Sequence, residues 1–191
     1  MQKNRDMEVI LKKAVMYGAG NIGRGFIGQI FNMSGYRTCF LDINNEVIER
    51  LNTDNEYSIH IVSDQKTDIF TVTNVYGVNS LDTNATANEI AQADIMATAV
   101  GVNVLPKIAG TLAKGLILRW EKGNKKPLNI IICENLIDAN KYLEKLIKVE
   151  LNKAQIELFN NLIGLVEASI GRMVPVMTEE MKEGNPLRVF C

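Results

Sequence analysis

The 191-residue chain has few of the residues that build disulfide frameworks or redox pairs. It holds three cysteines and a single histidine. Cys39, Cys133 and Cys191 show no CxxC spacing, and their number is odd. Cys39 and Cys133 lie inside apolar runs, where cysteine behaves as a small hydrophobe. Reduced thiols in a cytoplasmic protein are the expectation. Neither sign of charge is in excess: 21 basic residues face 22 acidic ones, for a net charge of −1. That balance argues against a general attraction to nucleic acid or to an anionic membrane. No apolar run approaches the roughly 20 residues of a membrane span. The N-terminal stretch, Met1-Gln2-Lys3-Asn4-Arg5-Asp6, is followed by only a short apolar patch, unlike a signal peptide. Residues 1–13 are expected to be a small arm or a vector-derived segment ahead of the first strand. There is no low-complexity region and no internal repeat beyond an alternation of strands and helices. The composition that remains, 47% hydrophobic and 23% charged, is that of an ordinary globular domain.

The informative stretch runs from Val15 to Gly28. Val15-Met16-Tyr17 reads as a buried strand, Gly18-Ala19-Gly20-Asn21-Ile22-Gly23 as a Gly-x-Gly-x-x-Gly turn, and the residues after it as a helix. In a dinucleotide-binding turn Gly18 permits the tight bend. Gly20 lets the backbone approach a pyrophosphate, and Gly23 lets the helix pack on the strand. The helix N-terminus offers free N–H groups to phosphate. Asp42 ends the next apolar run, about 20 residues on, where a carboxylate accepts hydrogen bonds from an adenosine ribose. Arg37 precedes that run, so no cation for a 2′-phosphate follows it. The expectation is NAD rather than NADP. The plain alternative is a glycine-rich loop beside a solvated Asp.

Further along, the periodicity predicts a first helix over 22–34, with Ile22, Phe26, Ile27, Ile30 and Phe31 buried. A second strand ends at Asp42, and a short helix covers 45–52. Tyr57 to Ile61 and Ile69 to Val72 alternate with period two, which predicts an inserted antiparallel hairpin. His60 lies on one of these strands and reads either as a proton shuttle or as a half-exposed strand residue. Helices are predicted over 85–93, 104–120 and 136–151, and strands over 95–101, 128–133 and 162–170. The fold class is therefore α/β: a doubly wound, mainly parallel sheet with an inserted antiparallel hairpin. Ligands of such folds lie beyond the carboxyl ends of strands. Ala99, Val100 and Gly101 would then lie beside the ribose and nicotinamide half of a cofactor, although a plain tight turn also explains them.

Several stretches together carry a resemblance. They are Gly18 to Gly28, Thr98-Ala99-Val100-Gly101, Pro127 to Ile131 with Cys133-Glu134-Asn135, and Arg172 with Val174-Pro175. The sequence resembles the polyol-specific long-chain dehydrogenases over nearly all of the chain after residue 13. The resemblance implies an NAD-binding Rossmann domain over 14–191 and a metal-free hydride transfer. The implied substrates are D-mannitol 1-phosphate and D-fructose 6-phosphate. It further implies that Ala14, Val15, Met16, Tyr17, Gly18, Ala19, Gly20, Asn21, Ile22, Gly23, Arg24 and Gly25 wrap the pyrophosphate, and that Asp42 holds the adenosine ribose. Asn135 matches an asparagine that polarises the substrate oxygen. An amide N–H aimed at a developing alkoxide stabilises its charge. Asn135 serves equally well as the cap of a helix starting at Leu136. Glu134 either orients Asn135 or faces solvent. Arg172 either clamps a sugar phosphate or makes a structural ion pair.

The resemblance also implies a helical C-terminal domain carrying a catalytic lysine, and no such segment can be assigned in this sequence. The expectation is a cofactor-binding domain that is inactive alone and partners the C-terminal domain of the same protein. A sister enzyme acting on mannitol or a hexuronate, and a non-catalytic NAD-sensing module, are the competing readings.

Overall fold

The computed structural model describes residues 11–63 and 66–191. Its centre is β1 (Lys12–Tyr17), whose side chains are buried on both faces, as in a central parallel strand. Ala14 and Met16 point into one core, and Val15 and Tyr17 into the other. Residues 1–10 of the expected arm lie outside the described residues. Lys12 and Lys13 already belong to the first strand.

β1 pairs in parallel with β2 (Tyr36–Asp42) on one side and β6 (Ile95–Thr98) on the other. The full sheet is completed by β5 (Val75–Asn79), β7 (Leu128–Ile132) and β8 (Ile163–Glu167), in the order β5-β2-β1-β6-β7-β8. All its pairings are parallel. The chain leaves β1 toward β2 and later returns to β1's other side at β6. The turns after β1 and β6 therefore sit where the sheet order reverses, the usual ligand crevice of an open α/β sheet. α3 (Thr83–Gln92), α4 (Leu105–Glu121), α5 (Ala139–Val149) and α6 (Lys153–Leu162) lie with one core. Buried Arg119 on α4 donates to the carbonyls of Ala91, Ala93 and Lys126, tying α4 to the end of α3 and to the loop before β7.

The other core contains α1 (Gly28–Met33) and α2 (Asn45–Asp54). It also contains the predicted hairpin, β3 (Glu56–Val62) with β4 (Thr67–Thr73), in antiparallel register. The hairpin forms a separate sheet with β9 (Val189–Phe190), which runs parallel to β3. His60 is a half-buried strand residue with its ring stacked on Phe190.

Two predicted helices need correction. The helix after the glycine turn begins as a π-helical turn, Gly23–Ile27, before continuing as α1. Each π turn inserts one extra residue and rotates the downstream side chains about the helix axis. Gln29 is accordingly buried (6% exposed) and Ile30 turns outward (41%). The helix predicted over 136–151 starts only at Ala139, after Asp138 at φ 59°. β5 and α6 are elements the periodicity does not reveal. β5 has a glycine at its centre because a Cβ at Gly77 would stand 2.7 Å from Ile48 Cδ1. α6 comes after the loop that ends α5 and is opened by a capping box between Asn152 and Gln155.

Candidate functional site

The glycine turn is shaped by close packing. A Cβ on Gly18, which has φ 100°, would stand 2.4 Å from the Ala99 carbonyl oxygen, and one on Gly23 would stand 2.0 Å from the Gly18 oxygen. No other residue fits these two positions without moving backbone. Gly20 is different, since nothing lies within 4 Å of its Cβ position. Its backbone faces open space, as a surface for a bulky phosphate group requires. Ala14, Val15 and Met16 have no exposed surface; they fix the height of the turn from within the cores and present no side chain to a ligand.

Asp42 lies at the end of β2, beside the turn. Its Oδ2 accepts from the backbone N–H of Ala19 at 2.6 Å, and its Oδ1 from that of Asn44 at 2.9 Å. With Gly18, Gly20, Ala99 and Val100 it lines a cavity of about 580 Å³ whose remaining walls include Leu41, Ile43 and Val104. An apolar slot with one carboxylate at its rim matches a nucleoside in shape and chemistry. Burial raises the Tyr17 hydroxyl at its floor above the usual phenol range, and the Asp42 charge adds to this against a hydrogen bond from Ser80. Arg37, the second residue of β2, stacks on the Tyr76 ring, five residues and about 16 Å of strand from Asp42.

The carboxyl ends of β7 and β8 frame a second cavity of about 560 Å³, lined by Ile22, Glu134, Asn135, Ser169 and Arg172 among others. Asn135 is exposed into it and does not cap a helix, since α5 begins four residues later with Asp138 in the capping position. The capping role expected of Asn135 therefore does not hold. Glu134 is buried and accepts from the backbone N–H groups of Val100 and Gly101, so it neither faces solvent nor bonds Asn135. Burial, with the Glu134 charge added, pushes the Cys133 thiol up to about 11. Arg172 makes no ion pair among the described residues; its guanidinium donates to the Gln29 amide oxygen and lies over the Phe26 ring.

Asn21 and Arg24 turn away from both cavities. Asn21 donates to the Pro175 carbonyl at 2.9 Å, and Arg24 donates to that of Pro186 at 2.6 Å. The C-terminal segment thus lies across the glycine turn. A Cβ on Gly25 would stand 3.0 Å from Val174, which explains that glycine as a packing residue. Burial lowers the Arg24 guanidinium from its ordinary value. The linear sequence carries no signal for these contacts, which join residues more than 150 positions apart. Among the described residues no group of three His, Cys, Asp or Glu side chains is placed to hold a metal ion, and no helix is long and apolar enough to cross a membrane.

Strand order, glycine turn and adjoining acid define a Rossmann dinucleotide-binding domain. Residues 12–191 match the family model for the mannitol dehydrogenase Rossmann domain, and the chain belongs to that family. The mannitol-1-phosphate 5-dehydrogenase of Oceanobacillus iheyensis is 40% identical over 171 residues, covering 89% of this chain and 44% of that protein. The enzyme of the same name from Lactococcus lactis subsp. cremoris is 42% identical over 182 residues, covering 95% and 47%. The chain thus spans less than half the length of these relatives. Among solved structures, a UDP-glucose dehydrogenase from Pyrobaculum islandicum has the same fold. It aligns with a TM-score of 0.56 at 12% identity, over 99% of this chain and 42% of that one. An octopine dehydrogenase aligns with a TM-score of 0.54 at 12% identity, over 94% and 48%. Family and fold imply a nicotinamide cofactor.

Proposed function

We propose that this chain is the NAD-binding domain of a dehydrogenase interconverting D-mannitol 1-phosphate and D-fructose 6-phosphate. The observation that carries the reading is the open backbone face of Gly20 on an apolar cavity rimmed by Asp42, with a second cavity holding Asn135 and Arg172 at the carboxyl ends of β7 and β8. The first cavity suits adenosine and the second suits a sugar phosphate. The identity to two mannitol-1-phosphate 5-dehydrogenases supports the substrate. Asp42 favours NAD, because a carboxylate repels a 2′-phosphate and Arg37 is committed to Tyr76. NAD supplies the hydride acceptor or donor when bound. The open Gly20 face and the turn N–H groups from Gly20 onward receive the pyrophosphate, since those of Gly18 and Ala19 donate to the Leu41 carbonyl and to Asp42. Ala99, Val100 and Gly101 line the path toward the second cavity.

There the Asn135 amide donates to the substrate oxygen, whose negative charge grows as hydride reaches the carbon. Arg172 offers a cation to the sugar phosphate by exchanging its bond to Gln29. No lysine is among the residues lining this cavity. We assign the group that takes the hydroxyl proton on oxidation, and returns it on reduction, to a C-terminal domain of the same protein, acting in the cytoplasm.

The test is NADH oxidation with D-fructose 6-phosphate, comparing residues 1–191 alone with the product of the uninterrupted gene. Activity in the gene product and none in residues 1–191 supports the reading. NADH binding without turnover by either redirects it to fructose, a hexuronate or a sensing role.

A further inference from the structure

Glu134 is 8% exposed, and none of the ion pairs among the described residues includes it. A buried carboxylate is costly unless its oxygens are taken up. Here both are. Oε1 accepts from the Val100 N–H at 2.9 Å and Oε2 from the Gly101 N–H at 2.8 Å. Two consecutive backbone donors thus converge on one side chain, which arrives from the neighbouring strand, 34 and 33 residues later in the chain. Gly101 adopts φ 91° and ψ 141°, a conformation other residues avoid. No atom of the described residues lies within 4 Å of its Cβ position, so the glycine serves the backbone conformation and not a lack of room.

The clamp stands between the two cavities. Val100 lines the one rimmed by Asp42, and Glu134 lines the one that holds Asn135. An amide in place of the carboxylate would present an NH2 group to one of the two N–H donors and leave that donor unmet. The two oxygens of the carboxyl group meet both donors. Asp42 treats the first crossover in a similar way, accepting from Ala19, but at the opposite, nucleoside end.

We propose that Glu134 is a positioning residue for the nicotinamide half of the cofactor. It holds the Val100–Gly101 backbone, and with it the wall along which the nicotinamide ribose lies, while the chain direction it fixes delivers Asn135 to the substrate. The proposal rests on the reading of this chain as a dinucleotide-binding domain.

The experiment compares binding of NADH and of ADP, which lacks both the nicotinamide and its ribose, to the wild-type chain and to Glu134→Gln. The proposal predicts that E134Q weakens NADH binding about tenfold, because a Val100–Gly101 wall that has lost one anchor no longer meets the nicotinamide half in its bound position. ADP affinity should stay within about twofold, because the Asp42 end is untouched. Equal NADH affinity in the two proteins overturns the proposal, and so does an equal loss of both ligands, which marks a general structural role. If the wild-type chain binds neither ligand, the dinucleotide reading itself fails. Should E134Q not fold, Glu134→Asp decides by the same comparison, since it keeps the charge and shortens its reach.

Discussion

The hydroxyl of Tyr57 donates to the Arg24 carbonyl at 2.7 Å, inside the π-helical turn that succeeds the glycine loop. A π turn leaves a carbonyl without its usual helical partner, and here a side chain from the inserted hairpin supplies the donor. Gly28 makes the approach possible, since a Cβ there would stand 2.2 Å from the Tyr57 hydroxyl oxygen. Tyr57→Phe removes the donor, keeps the ring and strands a buried carbonyl. The expected cost is about 1–3 kcal/mol of stability, read as a lower midpoint in urea with an unchanged slope.

Asp42 has two tasks, anchoring Ala19 and presenting a carboxylate to the first cavity. Asp42→Ala should weaken NADH binding by about tenfold, roughly one lost charge-assisted hydrogen bond. It should weaken NADPH binding far less, because the same change removes the repulsion of a 2′-phosphate. Fluorescence titrations with both cofactors measure the ratio. A proportional loss for both would remove Asp42 from cofactor selection.

Cys133 gives the chain a pH dependence on the alkaline side. The folded thiol ionises at about 11, raised by burial and then by Glu134. In the unfolded chain a cysteine ionises near about 8.5. The folded state therefore keeps a proton that the unfolded state releases. The resulting stability is fully present below about pH 8.5 and is lost as pH rises toward 11. Denaturant midpoints of wild type and Cys133→Ala, compared across this window, should converge with increasing pH. A difference that stays constant would show that the thiol does not titrate as its surroundings dictate.

The glycine turn, its flanking strand and helix, and Asp42 were legible in the sequence because their chemistry is local. Each residue's task comes from its neighbours in the chain and the geometry of a single turn. Most of the parallel strands and the hairpin were legible for the same reason, through their periodicity. β5 was hidden because Gly77 answers to Ile48 on α2 and not to the strand's own pattern. The outward turn of Ile30 was hidden by a π turn, which breaks the 3.6-residue period that exposes a buried face. Asn135 was ambiguous until the start of α5 was located, four residues downstream. The roles of Glu134, Asn21 and Arg24 depend on partners from other elements, and no spacing rule within the sequence reaches them.

The most direct measurement is a titration of residues 1–191 with NADH and, separately, with NADPH, by calorimetry or nicotinamide fluorescence. A domain with the open Gly20 face and the Asp42 rim should bind NADH saturably at one site per chain, and NADPH at least about tenfold more weakly. Saturable binding of neither cofactor, by a chain that unfolds cooperatively, would contradict the account.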